Sequence, residues 1–292
     1  MRPSAIDRYT RAVERVLSHL QSAIERQAPL PDLAEMAALA HLSPFHFHRI
    51  YRALTGETVG NTVARLRLAS ALRMLGEGRS VTEAAMAVGY ESSQALARAF
   101  RARLDVAPAV LRGDARAAEA LFERLQPPPP RPADAQLRVE VRPMDSFEIV
   151  VLRRRGAFEE LDSGFGRLFD WALRAGIAER LERLIGIPLS DHRDVAPREH
   201  LFDCAMSFGH GVPAPPAGIA LRQLGGGLYA VLRHVGPYEG IEDAVDRLLA
   251  DWLPQSGHAP REAPLFHHYL DDPEQVPAAI LRADIHLPLQ PA

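Results

Sequence analysis

At 292 residues, 47% of them hydrophobic, the chain is long enough for about two domains with separate cores. The formal net charge of −3 conceals an asymmetry: residues 1–113 hold 15 Arg against 10 acidic residues, the remainder 19 Arg against 27, and there is no Lys. A basic half joined to an acidic half suits a polyanion partner on one side only, while the single cysteine, Cys204, excludes an intrachain disulfide and leaves a cysteine zinc site short of ligands.

No run of roughly 18 apolar residues is present and the start of the chain is charged every few residues, so neither a membrane span nor export is indicated and a cytoplasmic location is expected. In chain order, residues 32–56 predict helix, tight turn, helix. Leu33, Met36, Ala37 and Ala40 form one apolar face, Ser43 is a good N-cap, and Pro44 sits at the first helical position, where a missing N–H costs nothing. The second helix places Phe47, Ile50, Tyr51 and Leu54 inward at helical spacing and ends at Gly56, which supplies a left-handed cap. His46, Arg49 and Arg52 are expected on the opposite, outward face.

One long amphipathic helix follows across 56–78, with Val63, Leu66, Leu68, Ala71, Leu72 and Leu75 apolar. The helix-turn-helix plan then recurs at 81–103: Val81, Ala84, Ala85 and Val88 face inward, Gly89 permits the turn, and Ser92 or Ser93 caps the next helix. In that helix Leu96, Ala99 and Phe100 point in, whereas Gln94, Arg98 and Arg101 point out. Arg and Gln are the side chains that read guanine and adenine edges bidentately, and Ser93 stands beside them at the helix start. Two such helices held by a rigid spacer can enter successive major-groove segments of double-stranded DNA without a dimer.

Residues 114–126 read as a short helix, followed by PPPPRPAD, a stiff extended spacer. The expected division is therefore 1–113 for the DNA-reading domain, 114–135 for a helix and proline-rich linker, and 136–292 for a mixed domain. The mixed domain repeats itself. VLRRRGAFEEL at 151–161 matches VLRHVGPYEGI at 231–241 at an offset of 80 (236 − 156), and the same offset pairs Arg167 with Arg247, Asp191 with Asp271, Pro197 with Pro277 and Leu201 with Leu281. Each unit reads strand, strand, helix, strand, strand; in the first these fall near 137–143, 147–154, 160–175, 183–188 and 201–209. A duplicated unit of this kind packs about a pseudo-twofold axis, with a cleft suited to a ligand where the halves meet. The fold expected is an all-α domain with two helix-turn-helix motifs plus an α+β domain of duplicated strand-helix-strand units.

SPFHFHRIYRALTGETV, LRLASALRML and VTEAAMAVGYESSQALARAFRARLDVAPAVLR resemble the AraC/XylS regulators over about 100 residues. The resemblance implies base contacts by Phe45, His48, Arg49, Gln94 and Arg98. Where that family has Phe-Gly before its final turn, this chain has Leu104-Asp105, which leaves the turn geometry open. VVLRRRGAFEELDSGFGRLFDWA, AVLRHVGPYEGIEDAVDRLLADWL and PLFHHYLDDPEQVPAAILRADIHLPL resemble the GyrI-like effector-binding domain, which implies a pocket for an apolar, often cationic or aromatic small molecule. Trp171, Phe208, Tyr229, Tyr238, His267 and Tyr269 are candidates for it, with an ordinary core role as the alternative for each aromatic. Glu159 and Glu239, at matching places in the repeat, have a structural explanation as carboxylates near helix N-termini.

The family commonly has Glu two residues before the Tyr of the last repeat, the position of His267. A neutral imidazole cannot neutralise a cation as a carboxylate does, so either the effector expected is neutral or anionic, or the protein recruits a different acid to meet it. No metal, cofactor or catalytic nucleophile is expected. His267-His268 in a strand point to opposite faces, Gly225-Gly226-Gly227 is a turn and not a dinucleotide fingerprint, and no G-x-S-x-G is present. The expectation is an effector-controlled DNA-binding regulator that also contacts RNA polymerase. Two alternatives are a small-molecule hydrolase, which would want an acid at position 267, and a module that sequesters a protein partner.

Overall fold

The computed structural model describes residues 5–42, 44–128, 137–157, 163–191, 193 and 196–291. Two compact units divide the chain, one centred on Arg8–Pro132 and the other on Ala133–Ala292.

The helical unit holds α1 (Ala5–Glu25), α2 (Leu33–Ala40), α3 (Pro44–Thr55), α4 (Val59–Gly76), α5 (Val81–Ala87), α6 (Ser93–Leu104) and α7 (Ala115–Phe122). Capping chemistry sets several of the starts. Asp32 and Ser80 each form a capping box with the Glu three residues on, and Thr58 and Ser92 accept from the third backbone N–H beyond them. Ser92, not Ser93, is thus the cap of α6. Ser43 lies outside the described residues.

Among the described residues two cores build this unit, one for each helix-turn-helix. The first joins Ala12, Val16 and Leu20 of α1 to Met36, Ala37 and Ala40 of α2 and to Phe47 and Tyr51 of α3. The second joins Ala84, Ala85 and Val88 to Leu96, Phe100 and Leu104. The spacer α4 serves both: Val63 and Leu66 pack on the first core, and Leu68, Ala71, Leu72 and Leu75 are buried in the second. The unit continues beyond residue 113, because Ala118 and Leu125 are buried in the second core and the Gly113 N–H donates to the Leu75 carbonyl at 2.8 Å.

The second unit is an eight-stranded sheet, antiparallel at every pairing: β1 (Val139–Met144), β2 (Phe147–Arg155), β3 (Arg183–Pro188), β4 (Leu201–Ser207), β5 (Ala220–Leu224), β6 (Gly227–Val235), β7 (Phe266–Tyr269) and β8 (Arg282–Leu289). Among the described residues two helices accompany it, α8 (Ser163–Arg174) and α9 (Ile241–Arg247), the latter running on into a π-helical turn at Leu248–Trp252. The strand order β1-β6-β8-β7-β3-β4-β2-β5 maps onto itself when the two repeats are exchanged, which is the expected pseudo-twofold. The first strand of each repeat, however, pairs with the other repeat: β1 with β6 and β5 with β2. Neither half of the sheet is complete alone.

The repeat offset needs one correction. β2 and β6 match residue for residue at 80, but Arg155 pairs with Leu201 while Val235 pairs with Arg282, an offset of 81 (282 − 201). One extra residue separates helix and third strand in the second repeat. The true partners of Asp191, Pro197 and Leu201 are therefore Asp272, Ala278 and Arg282, not Asp271, Pro277 and Leu281. Phe158 and Glu159 lie outside the described residues.

Candidate functional site

Helix α6 carries the clearest outward face. Leu96 and Phe100 are buried while Gln94, Arg98 and Arg101 are exposed at helical spacing, and Ser93 is half-buried at the first turn. The Ser92 hydroxyl accepts from the Ala95 N–H at 3.1 Å. At the far end Asp105 adopts φ 56° and ψ 35° and its N–H donates to the Arg101 carbonyl. An acid thus fills the left-handed cap that the resemblance gave to glycine, and the turn forms nonetheless.

Helix α3 departs from expectation. His46 and Arg49, placed outward by the sequence reading, are buried at 4% and 2% exposure, and Arg52 and His48 are half-buried. The physical reason is that α3 buries two stripes and not one. Phe47 and Tyr51 enter the first core, and His46, Arg49 and Ile50 form an adjacent buried stripe at i, i+3 and i+4. The side chain of Phe45 lies outside the described residues. Tyr51 is pinned from the other side, its hydroxyl donating to Thr62 at 2.8 Å and Thr62 donating to Glu57, which also pairs with Arg65 at 2.6 Å. Burial pushes the Tyr51 phenol up to about 12, so it remains a donor.

In the sheet domain the six ligand candidates fall into three places. Trp171 and Phe208 are both buried and meet edge to face at 6.2 Å under α8, in the core that also holds Val150, Leu168 and Cys204. Tyr229, 1% exposed, belongs to a second core with Ile149, Ile185 and Phe266. These three fill cores and do not line a shared surface. Tyr238, His267 and Tyr269 do come together. Tyr238 and Tyr269 stand 4.8 Å apart by ring centroids, and the His267 ring lies 6.4 Å from Tyr269.

The position of this group is set by the pseudo-twofold. At the offset of 81, His267 is the counterpart of Gly186, and the two are direct partners across β3 and β7, so the axis passes between them. Gly186 leaves room: a Cβ there would lie 2.6 Å from Phe202 Cζ and 2.7 Å from the Tyr269 hydroxyl. Phe165 of α8 closes one side, 5.9 Å from Tyr269 and 6.3 Å from Phe202. Phe165, Tyr238 and Tyr269 keep partial exposure over a buried His267. The Tyr238 hydroxyl donates to the Asp271 carbonyl at 2.7 Å and burial raises its pKa, so this side chain is fixed as a neutral ring. What the arrangement offers is a set of aromatic faces around one imidazole. Gly186, Phe165 and Phe202 were not anticipated. A glycine inside the apolar strand RLIGIP was the available signal, since such a residue marks close approach by another group.

Residues 138–290, just over half of the chain, match the GyrI-like small molecule binding domain. The chain belongs to the GyrI-like family. Residues 36–114 match a helix-turn-helix domain. The probable transcriptional regulator YgiV of Escherichia coli (strain K12) is 30% identical over 154 residues, covering 52% of this chain and 96% of that protein. The HTH-type transcriptional regulator GlxA of Rhizobium meliloti is 36% identical over 102 residues, 35% of this chain and 31% of that protein. A crystal structure of the DNA-binding domain of AdpA with a target DNA overlays 36% of this chain and 96% of its own at a TM-score of 0.31 and 31% identity. This GyrI-like chain is a transcriptional regulator with an AraC-type helix-turn-helix domain and a small-molecule-binding domain. None of its described helices is long and apolar enough to cross a membrane.

Proposed function

We propose that the aromatic group at the pseudo-twofold axis of the GyrI-like domain captures a small-molecule effector, and that this capture biases sequence-specific binding of double-stranded DNA by the helical domain. The observation that carries the reading is the Gly186–His267 pair, with Tyr269 laid over the glycine and Tyr238 beside it. Stacking faces around a single polar group are what an orienting pocket for an aromatic molecule requires. Because the polar group is an imidazole and not a carboxylate, the effector is neutral or anionic. On the DNA side the contacts come from Gln94, Arg98 and Arg101, with Ser93 at the start of α6 positioning a phosphate; His48 and Arg52 contribute from α3. The protein works in the cytoplasm as a binding protein and not as an enzyme, and RNA polymerase is the partner through which activation would act.

The test is a calorimetric screen of aromatic compounds in neutral, anionic and quaternary ammonium forms against the full chain. Neutral or anionic members should bind, and Tyr269→Ala should weaken them at least tenfold. Tight binding confined to the cations, or binding indifferent to Tyr269→Ala, would overturn the reading. Mass spectrometry of each compound after incubation should find it unchanged; hydrolysis would favour the enzyme alternative.

A further inference from the structure

A second feature lies on the sheet face opposite α8. There each end of the sheet carries an Arg–Asp pair related by the pseudo-twofold: Arg153 with Asp203 at 2.7 Å, and Arg233 with Asp284. A strand from the other repeat brings one more arginine to each pair, Arg222 on β5 and Arg142 on β1, 80 residues apart and in equivalent register, opposite Ile149 and Tyr229. The symmetry then breaks. Arg222 closes onto Asp203 at 3.0 Å, whereas the acid nearest Arg142 is the exposed Glu140 at 3.8 Å. Where Arg142 stands away from Asp284, a cavity of about 610 Å³ opens, whose lining includes Arg138, Glu140, Arg142, Val231, Arg233 and Asp284.

Arg138, Glu140 and Arg142 alternate along β1 and its approach, so they share the face that Val231 and Arg233 present from β6. Asp284 is committed to Arg233 by two guanidinium hydrogen bonds, and Arg138 has no ion-pair partner among the described residues. Two guanidiniums therefore remain for a ligand, against one solvent-exposed carboxylate. The volume lies within the range of small-molecule sites, roughly 300–1,000 Å³. At the other end of the sheet the same position is closed by its own arginine, which serves as an internal comparison.

We propose that this cavity is a second binding site, separate from the aromatic group at the axis, for a small organic anion. Its carboxylate, sulfonate or phosphate head is held by Arg138 and Arg142, in the bidentate geometry to which guanidinium is suited, and its apolar part rests against Val231.

The test uses 1-anilinonaphthalene-8-sulfonate as probe, titrated by fluorescence and calorimetry into the full chain and into Arg142→Ala, Arg138→Ala, Arg222→Ala and Tyr269→Ala, each shown to be folded by circular dichroism. Loss of a cationic partner predicts at least tenfold weaker binding for Arg142→Ala and Arg138→Ala, with Arg222→Ala within twofold of the parent; because the probe is itself an aromatic anion, binding at the axis registers as a separate component that Tyr269→Ala removes and Arg142→Ala leaves in place. Two results would overturn the proposal: no saturable binding by the parent chain, or binding that consists solely of the component that falls with Tyr269→Ala and ignores Arg142→Ala. The second of these would leave the effector reading at the axis intact, so the two proposals fail separately.

Discussion

Gln94 and Arg98 lie one turn apart on the exposed side of α6. A bidentate Arg–guanine contact discriminates by about 1–3 kcal/mol, so Arg98→Ala is expected to weaken operator binding roughly tenfold to a hundredfold with the fold intact, as read by fluorescence anisotropy at fixed salt. Gly186 makes the matching prediction in the GyrI-like domain. A methyl group at 2.6 Å from Phe202 and 2.7 Å from Tyr269 must displace one of them, and overpacking of this kind costs about 1–3 kcal/mol; thermal denaturation of Gly186→Ala should show that loss together with weakened effector binding. At this scale the sequence was legible only in part. Tyr238, His267 and Tyr269 could be named because the resemblance to the effector-binding domain implied a pocket lined by aromatic side chains and marked position 267. The roles of Trp171, Phe208 and Tyr229 depend on which sheet face each occupies, and His46 and Arg49 depend on how much of the circumference of α3 is covered, which a single apolar stripe does not report.

Among the elements, the cap at Asp105 carries a prediction of its own. A non-glycine residue at φ 56° holds roughly 1 kcal/mol of strain that glycine would not, so Asp105→Gly should raise the melting temperature of the helical domain, and Asp105→Val, with a branched side chain there, should lower it. An unchanged melting temperature in both would contradict the strain assignment. Helix positions and strand positions were well legible because period 3.6 and period 2 patterning are local properties. Pairing was not: that β1 completes the opposite repeat, and that the repeat slips from 80 to 81 residues after the helices, are consequences of long-range hydrogen bonding. α1 is a further omission. Its Ala12, Val13, Val16 and Leu20 do follow helical spacing, but its role as a wall of the first core appears only when α2 and α3 pack on it.

At the level of the whole chain, two units with separate cores should unfold with separate responses to pH. His286 is buried, stacked on Phe266 at 4.4 Å, and desolvation depresses its pKa to about 4, with the Asp284 carbonyl acting in the opposite sense. The unfolded histidine titrates near 6.5, so the unfolded state binds the additional proton between the two values. The stability this group confers is complete above about pH 6.5 and is lost as pH falls towards 4, at up to about 1.4 kcal/mol per unit. Urea unfolding of the GyrI-like domain should show that slope, and His286→Leu should flatten it.

The division of labour rests on DNA being read by two helices on one rigid module, with α4 shared by both of its cores. Selection of random duplexes by the full chain at physiological salt tests this directly. The predicted result is a bipartite motif with half-sites about 10 base pairs apart, in which Arg98→Ala relaxes one half and spares the other. No enrichment over random sequence would contradict the account.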